Sequence, residues 1–108
     1  MSLKIGLEIH VALPTKTKLF CNCNAYNEQD PNISICPICA GFPGAKPMLN
    51  EKVLEIAKSV ANALHSDISK KISFERKVYF YPDLPKSFQI TQLEHPVAVN
   101  GFIFFIVL

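Results

Sequence analysis

The sequence predicts a small α/β domain of the α+β kind, in which one helix covers an antiparallel-rich sheet and four cysteines form an insertion. Three observations predict this class. Two stretches alternate apolar and polar residues, as half-buried strands do; one stretch repeats its apolar residues at helical spacing; and all four cysteines lie in one turn-rich stretch. With 108 residues, 49% hydrophobic and 19% charged, the chain is long enough for one small globular domain.

The overall composition excludes some classes of protein. A net charge of +2 is too slight to predict nucleic-acid binding by itself. No apolar run approaches the ~20 residues of a membrane-spanning helix. Lys4, Glu8 and His10 interrupt the apolar pattern at the N-terminus, so no signal peptide is predicted and we expect a reducing compartment.

Residues 3–13 alternate with a period of two and predict a strand with one buried face. Glu8 and His10 share its polar face, about 7 Å apart along the strand. A carboxylate beside an imidazole can bind a metal or relay a proton. The alternative is a solvated outer face that carries no chemistry. The apolar face consists of Leu3, Ile5, Leu7, Ile9, Val11 and Leu13.

Residues 20–41 predict a zinc-binding loop. Their cysteines are spaced C-x-C, then twelve residues, then C-x-x-C, and two close pairs joined by a loop can supply the four thiolates of a tetrahedral Zn²⁺. The alternatives are two disulfides or four unrelated core thiols, and a reducing compartment favours the metal. A closed site of this kind is usually structural rather than catalytic. The predicted ligands are Cys21, Cys23, Cys36 and Cys39.

A helix is predicted from Glu51 to about His65, with Asn50 as its N-cap. Its apolar residues recur at positions i, i+3, i+4, i+7, i+8 and i+11, which makes one stripe that we expect to cover the sheet. The stripe consists of Val53, Ile56, Ala57, Val60, Ala61 and Leu64.

Residues 71–81 alternate again and predict a second strand, which a double-proline turn at residues 82–85 ends. Residues 87–93 can return as a third strand. The polar side chains around this turn could recognise a polar ligand, with a lysine as a point charge for phosphate; the alternative is a polar hairpin tip. The candidates are Tyr81, Asp83, Lys86 and Gln89.

The C-terminus predicts a further hairpin, because Asn100-Gly101 separates the apolar stretches 97–99 and 102–108. Residues 102–108 are apolar without alternation, which is atypical for a strand at the end of a small domain. An uncovered apolar strand promotes association, so we expect this chain to associate through its C-terminus.

Four motifs occur in one order: G-L-E-I-H from Gly6, the paired cysteines, G-F-P-G from Gly41 and Y-F-Y-P-D-L-P-K from Tyr79. Together they closely resemble the start of the GatB/GatE family, the B subunits of tRNA-dependent amidotransferases, over about residues 4–101. The resemblance implies that residues 1–108 are a single partial domain, the front part of a glutamine synthetase-like cradle.

The family uses ATP and Mg²⁺ to phosphorylate the misacylated amino acid on Glu-tRNA(Gln) or Asp-tRNA(Asn), which ammonia then converts to the amide. The resemblance implies Mg²⁺ binding at Glu8 and His10, which match the family's metal motif, and catalytic roles for Glu8, His10 and Lys86. It also implies amidotransferase A and C partners (or a D-type subunit in the GatE branch) and misacylated tRNA. Structural zinc is expected from the cysteine spacing, and no membrane partner is expected. The set expected to bind the nucleotide is Tyr81, Asp83, Lys86 and Gln89.

The sequence also departs from the family. Val78 replaces a frequent Asn, Ser87-Phe88 replaces a frequent Gly-Tyr, and residues 102–108 differ from the usual continuation. Family members run to several hundred residues, so we expect this chain to be inactive alone. We expect it to lie in the cytoplasm or an organellar matrix. The alternatives are a stand-alone zinc-stapled binding module and a truncated remnant.

Overall fold

The computed structural model describes residues 2–26, 30–84 and 87–108. Its contacts divide the chain into two compact units, Met1–Val53 and Leu54–Leu108. The described residues form one helix and four short antiparallel strands, which confirms a small α+β chain. No helix in these three ranges has the length and apolar character that crossing a bilayer requires. The glutamine synthetase-like fold stays a prediction.

The predicted strand over residues 3–13 is wrong for this structure. Residues 2–14 lie outside every helix and strand. The apolar side chains of the alternating pattern are exposed, with Leu3 at 88% and Leu7 at 85%, except for Leu13, which is half-buried. The physical reason is that a strand needs a neighbour for its backbone N–H and C=O groups. Alternation predicts which face such a strand would bury, but it supplies no pairing partner.

The predicted helix is confirmed as α1, Glu51–Ala63. The Asn50 side-chain oxygen accepts a hydrogen bond from the backbone N–H of Lys52 at 2.9 Å, as an N-cap does. At the other end, the N–H of His65 donates to Asn62 O and the N–H of Ser66 donates to Ala61 O, the paired bonds of a Schellman motif. His65 takes the left-handed conformation that this motif requires, with φ at 54°.

The strands form two separate two-stranded sheets rather than one sheet. Strand β1, Asp67–Ile68, pairs with β4, Ala98–Val99; β2, Glu75–Val78, pairs with β3, Phe88–Thr91. The predicted hairpin around residues 82–85 is thus confirmed, although β2 is shorter than the alternating stretch 71–81. Among the described residues, α1 shares few contacts with either sheet, so the expected cover of one sheet by the helix is wrong.

The predicted hairpin at Asn100-Gly101 is also wrong. Its first arm, β4, pairs with β1 instead, and residues 101–108 are in no strand. Asn100 does adopt a turn conformation, with φ at 59°, but the chain then runs to the end of α1, where Phe102 N–H donates to Leu64 O at 2.8 Å. The Phe102 ring stacks on the ring of His65 at 4.9 Å. These contacts with the helix end replace the strand pairing that the sequence predicted.

Few side chains are buried in the described ranges: Cys21, Ala61 and the hydroxyl-bearing Thr15. Cys21 belongs to the first unit and Ala61 to the second, so each unit has a very small interior of its own. Since Cys21 is buried, the cysteine loop contributes to the small interior of the first unit.

Candidate metal centre and ligand-binding hairpin

The first cysteine pair lies at the tip of a short antiparallel turn. Thr17 and Asn24 form a bridge, Lys18 N–H donates to Cys23 O at 3.0 Å, and Ala25 N–H donates to Lys16 O at 2.9 Å. These bonds close the loop so that Cys21 and Cys23 lie within it.

The segment before α1 holds this turn from the other side. Asn50 N–H donates to Leu19 O at 2.9 Å, and the Asn50 side-chain amide donates to the Thr17 hydroxyl at 2.9 Å. The residue that caps α1 thereby also fixes the loop that carries the first cysteine pair.

The second pair lies on a tight backbone turn. Ala40 N–H donates to Cys36 O at 2.9 Å, and Phe42 N–H donates to Pro37 O at 2.9 Å. Gly41 completes the turn with φ at 74°, a region that glycine enters without the steric cost of a Cβ.

All four sulfurs come together, and their atoms lie within 4.8 Å of one another. Four thiolates around a tetrahedral Zn²⁺, each at about 2.3 Å, would stand about 3.8 Å apart. The cysteines are free rather than paired in disulfides. This structure therefore does not contain the two disulfides of the alternative interpretation. The donor set fits a metal such as zinc.

Cys36 and Cys23 have pKa values that are shifted in opposite directions. Backbone N–H groups, above all that of Cys39, lower the pKa of Cys36 to about 7. Loss of water around Cys23, with the neighbouring thiols adding to it, raises the pKa of that residue to about 12. A bound cation would convert all four to thiolates, which is the form that ligates metal.

One cation lies beside this cluster. The Lys18 ammonium donates to Ser34 O at 2.7 Å and lies 3.8 Å from the sulfur of Cys39. Cys39 is the exposed member of the four, and its sulfur also accepts from the backbone N–H of Cys36 at 3.2 Å. No sequence pattern indicates a role for Lys18, because its partners lie 16 and 21 residues further along the chain and no spacing rule connects them.

Glu8 and His10 lie side by side, although the segment that carries them is not a strand. The Nε2 atom of His10 lies 3.3 Å from Oε1 of Glu8, and both side chains are open to solvent, at 71% exposure for His10 and 82% for Glu8. Mg²⁺ commonly takes one or two protein carboxylates, with water and phosphate oxygens completing its shell. Glu8 fits that requirement, whereas the His10 imidazole is a softer ligand. Their metal and catalytic roles stay predictions.

The β2–β3 hairpin carries the other candidates. Tyr79 donates its hydroxyl hydrogen bond to the Asp83 carboxylate, with both oxygens 2.9 Å away, and the rings of Tyr79 and Tyr81 meet edge to face at 5.2 Å. Gln89 is half-buried on β3, opposite Lys77. Lys86 lies outside the described residues. The ligand-binding role of this hairpin stays a prediction.

Comparison with known proteins identifies close relatives. The family model described as the GatB/GatE catalytic domain matches residues 3–107, further than the motifs at residues 4–101. The chain is 50% identical over 99 residues to the B subunit of the aspartyl/glutamyl-tRNA(Asn/Gln) amidotransferase of Carboxydothermus hydrogenoformans, covering 92% of this chain and 21% of the relative. Identity to the B subunit of the same enzyme from Acaryochloris marina is 52% over 99 residues, covering 92% and 20%.

A third relative, the B subunit of the same enzyme from Haloquadratum walsbyi, is 51% identical over 98 residues, covering 90% of this chain and 20% of the relative. The chain therefore spans about a fifth of the length of the curated relatives that it matches. Because the family match covers nearly all 108 residues, the chain belongs to the GatB/GatE family.

Proposed function

We propose that this chain is the N-terminal segment of the B subunit of a tRNA-dependent amidotransferase. In the complete protein it would take part in ATP-dependent phosphorylation of the side-chain carboxylate of Glu on tRNA(Gln) or Asp on tRNA(Asn), before amidation. The single observation that carries the proposal is the family match over residues 3–107. The proposed partners are the A and C subunits (or a D-type subunit) and misacylated tRNA, in the cytoplasm or an organellar matrix.

The chemistry accounts for the residue types. A carboxylate is a poor acyl donor, and phosphorylation converts one of its oxygens into part of a leaving group. Mg²⁺, when bound with ATP, neutralises charge on the phosphoryl oxygens. In this proposal Glu8 supplies a hard oxygen ligand, and the adjacent His10 orients it or accepts a proton.

The β2–β3 hairpin would hold the nucleotide. Lys86 would provide a point charge for phosphate. Tyr81 and Asp83 are exposed, so a ligand can reach them, and Tyr79 holds the Asp83 carboxylate in position. Gln89 would donate its side-chain amide. The four cysteines would hold a structural Zn²⁺ that stabilises the first unit, with no open coordination position for chemistry.

A chimeric enzyme tests the catalytic proposal. The aligned 99 residues of the Carboxydothermus protein, 50% identical, would be replaced by those of this chain in an assembled amidotransferase. We expect the chimera to convert Glu-tRNA(Gln) to Gln-tRNA(Gln) with ATP and ammonium. Glu8→Ala should lower that rate by roughly 100-fold or more, because a metal ligand contributes several kcal/mol to phosphoryl transfer.

The matched control is Lys4→Ala, another exposed polar residue of the same segment, which should leave the rate unchanged. Glutamine hydrolysis by the amidase partner reports whether the complex has assembled. An assembled chimera without amidation would support the alternative, a zinc-stapled binding module. Equal rates for the two alanine variants would contradict the metal role of Glu8.

The zinc proposal has its own measurement. Elemental analysis of the 108-residue chain, expressed with zinc, should give about one equivalent of Zn²⁺. Cys21→Ser should lose it, whereas Ser34→Ala, which lies on the same loop and keeps all four sulfurs, should retain it. A zinc content near zero in the wild type would contradict the proposal.

A further inference from the structure

Lys18 contacts both halves of the cysteine cluster. Its backbone N–H donates to Cys23 O at 3.0 Å, in the turn that carries the first pair. Its side-chain ammonium reaches the second half, donating to Ser34 O at 2.7 Å and lying 3.8 Å from the Cys39 sulfur. The carbonyl of Ser34 holds the half-buried ammonium in place, so it is not a freely rotating surface charge.

The position of this charge matters because of what the cluster would carry. Four thiolates around a divalent cation have a net charge of −2, and each thiolate keeps electron density that attracts protons and electrophiles. Cys39 is the exposed sulfur, and it accepts one backbone hydrogen bond, from Cys36 N–H at 3.2 Å. A cation beside it withdraws electron density from that sulfur and reduces the net charge of the centre.

We propose that Lys18 is a positioning residue of the four-cysteine metal centre: its ammonium, anchored on Ser34 O, neutralises part of the thiolate charge at Cys39 and strengthens metal binding. The inference rests on the proposed metal site. It goes beyond that proposal because it assigns to a lysine, which is not a ligand, the control of affinity and of sulfur electron density.

Three substitutions separate charge from packing in the full 108-residue chain. Lys18→Met removes the charge and the hydrogen bond to Ser34 O. Lys18→Gln removes the charge but keeps an amide donor, and Lys18→Arg keeps the charge. Lys16→Met is the matched control, since Lys16 is an exposed lysine two residues earlier on the same turn.

The first measurement is metal affinity, by competition of the Zn²⁺-loaded chain with a chelator. We expect Lys18→Met and Lys18→Gln to weaken binding by about 10-fold or more, the usual effect of losing an outer-shell partner. Lys18→Arg and Lys16→Met should bind within a few-fold of the wild type. If Lys18→Met fails to fold, the comparison of Lys18→Gln with Lys18→Arg decides the matter.

The second measurement uses Co²⁺ as an optical probe. The sulfur-to-cobalt charge-transfer band moves to longer wavelength when a thiolate loses a neighbouring positive charge, because its lone pairs rise in energy. We expect this shift in Lys18→Met and Lys18→Gln and not in Lys18→Arg or Lys16→Met. A merely structural role for Lys18 would change stability without moving the band.

The outcomes separate the two proposals. A wild-type chain that takes up neither Zn²⁺ nor Co²⁺ would overturn the metal site and the role of Lys18 together. A wild-type chain that binds both metals, with Lys18→Met and Lys16→Met alike in affinity and in band position, would overturn the role of Lys18 alone.

Discussion

Glu75 closes the open end of the β2–β3 hairpin through its carboxylate. One oxygen accepts from Leu93 N–H at 2.8 Å and the other from the Ser73 hydroxyl at 2.8 Å. The N–H of Leu93 is the main cause that lowers the pKa of Glu75 below its usual value, and the Ser73 hydroxyl adds to it. The folded chain therefore prefers the ionised carboxylate more strongly than the unfolded chain does.

This preference predicts the pH dependence of stability. Glu75 contributes fully above its unfolded pKa of about 4.3, and the contribution is lost as the pH falls through the lower folded-state value. The urea midpoint of the wild type should therefore fall more steeply below about pH 4.3 than that of Glu75→Gln. Glu94→Gln, a nearby exposed control, should follow the wild type. Parallel curves for wild type and Glu75→Gln would contradict this role.

Residues next to α1 in the sequence terminate the helix at both ends: Asn50 caps its N-terminus, and a turn at His65 and Ser66 ends it. Asn50 caps the N-terminus and also donates to Thr17 O at 3.1 Å and to the Thr17 hydroxyl at 2.9 Å. The cap therefore links helix formation to the cysteine-bearing turn of the first unit.

We expect Asn50→Ala to lower the free energy of unfolding by about 1 kcal/mol, because the helix loses its cap and the turn loses its anchor. Urea unfolding of the zinc-loaded chain, followed by far-UV circular dichroism, measures this. Asn62→Ala, an exposed asparagine inside α1, is the control; it should cost nothing, since alanine has the higher helix propensity. Equal losses for both variants would refute the capping role.

Gly101 lies where the chain passes close to the C-terminal end of α1. A Cβ at this position would lie 2.5 Å from the Ser66 hydroxyl oxygen and 3.3 Å from Leu64 O. The Ser66 hydroxyl can rotate away from an added Cβ, so the contact that disfavours a larger residue here is the one with the backbone Leu64 O.

Gly101→Ala should therefore destabilise the second unit by about 1 kcal/mol, the low end of the cost of overpacking, because the Ser66 hydroxyl can move and the contact with Leu64 O is only slightly too close. The double variant Ser66→Ala/Gly101→Ala should recover part of this loss, since the contact with Leu64 O persists. Gly6→Ala is the control, because a Cβ there meets nothing within 4 Å. Thermal unfolding of the four chains measures the effect, and a loss for Gly6→Ala as large as for Gly101→Ala would argue against the contact.

At the scale of the whole molecule, two apolar segments are open to solvent. Alternate residues from Leu3 to Val11 are exposed by 72–88%, and Ile103–Leu108 by 70% or more. Burial of one large apolar side chain stabilises by ~1.5–3 kcal/mol, so a few of them equal the whole stability of a small domain. Such surface favours association of the isolated chain.

We expect light scattering of the isolated chain to rise with concentration. Phe104→Lys/Ile106→Lys should suppress the rise more than Leu7→Lys/Ile9→Lys, because a continuous apolar run associates more readily than one interrupted by polar residues. Val60→Lys, on the exposed part of α1, serves as the control for added charge. A wild type that stays monomeric at high concentration would contradict the prediction.

Features that depend on neighbours along the chain could be predicted from the amino-acid sequence. Helix α1 follows from a cap and an apolar stripe within about fifteen residues, and the β2–β3 hairpin follows from a strand on each side of a proline-bounded turn. The four-cysteine cluster follows from the spacing of its two pairs, because each pair supplies two neighbouring thiols and two such pairs suit one tetrahedral metal ion.

Contacts between distant groups could not be predicted in this way. Alternation in residues 3–13 could not provide a pairing partner, and the Asn100-Gly101 signal could not tell that β4 would pair with β1. Lys18 reaches Cys39 across 21 residues, a contact set by how the loop closes. The physical reason is common to all three. Local preferences act through a few dihedral angles, whereas strand pairing and long-range contacts depend on the competition among all groups that a folded chain brings within reach.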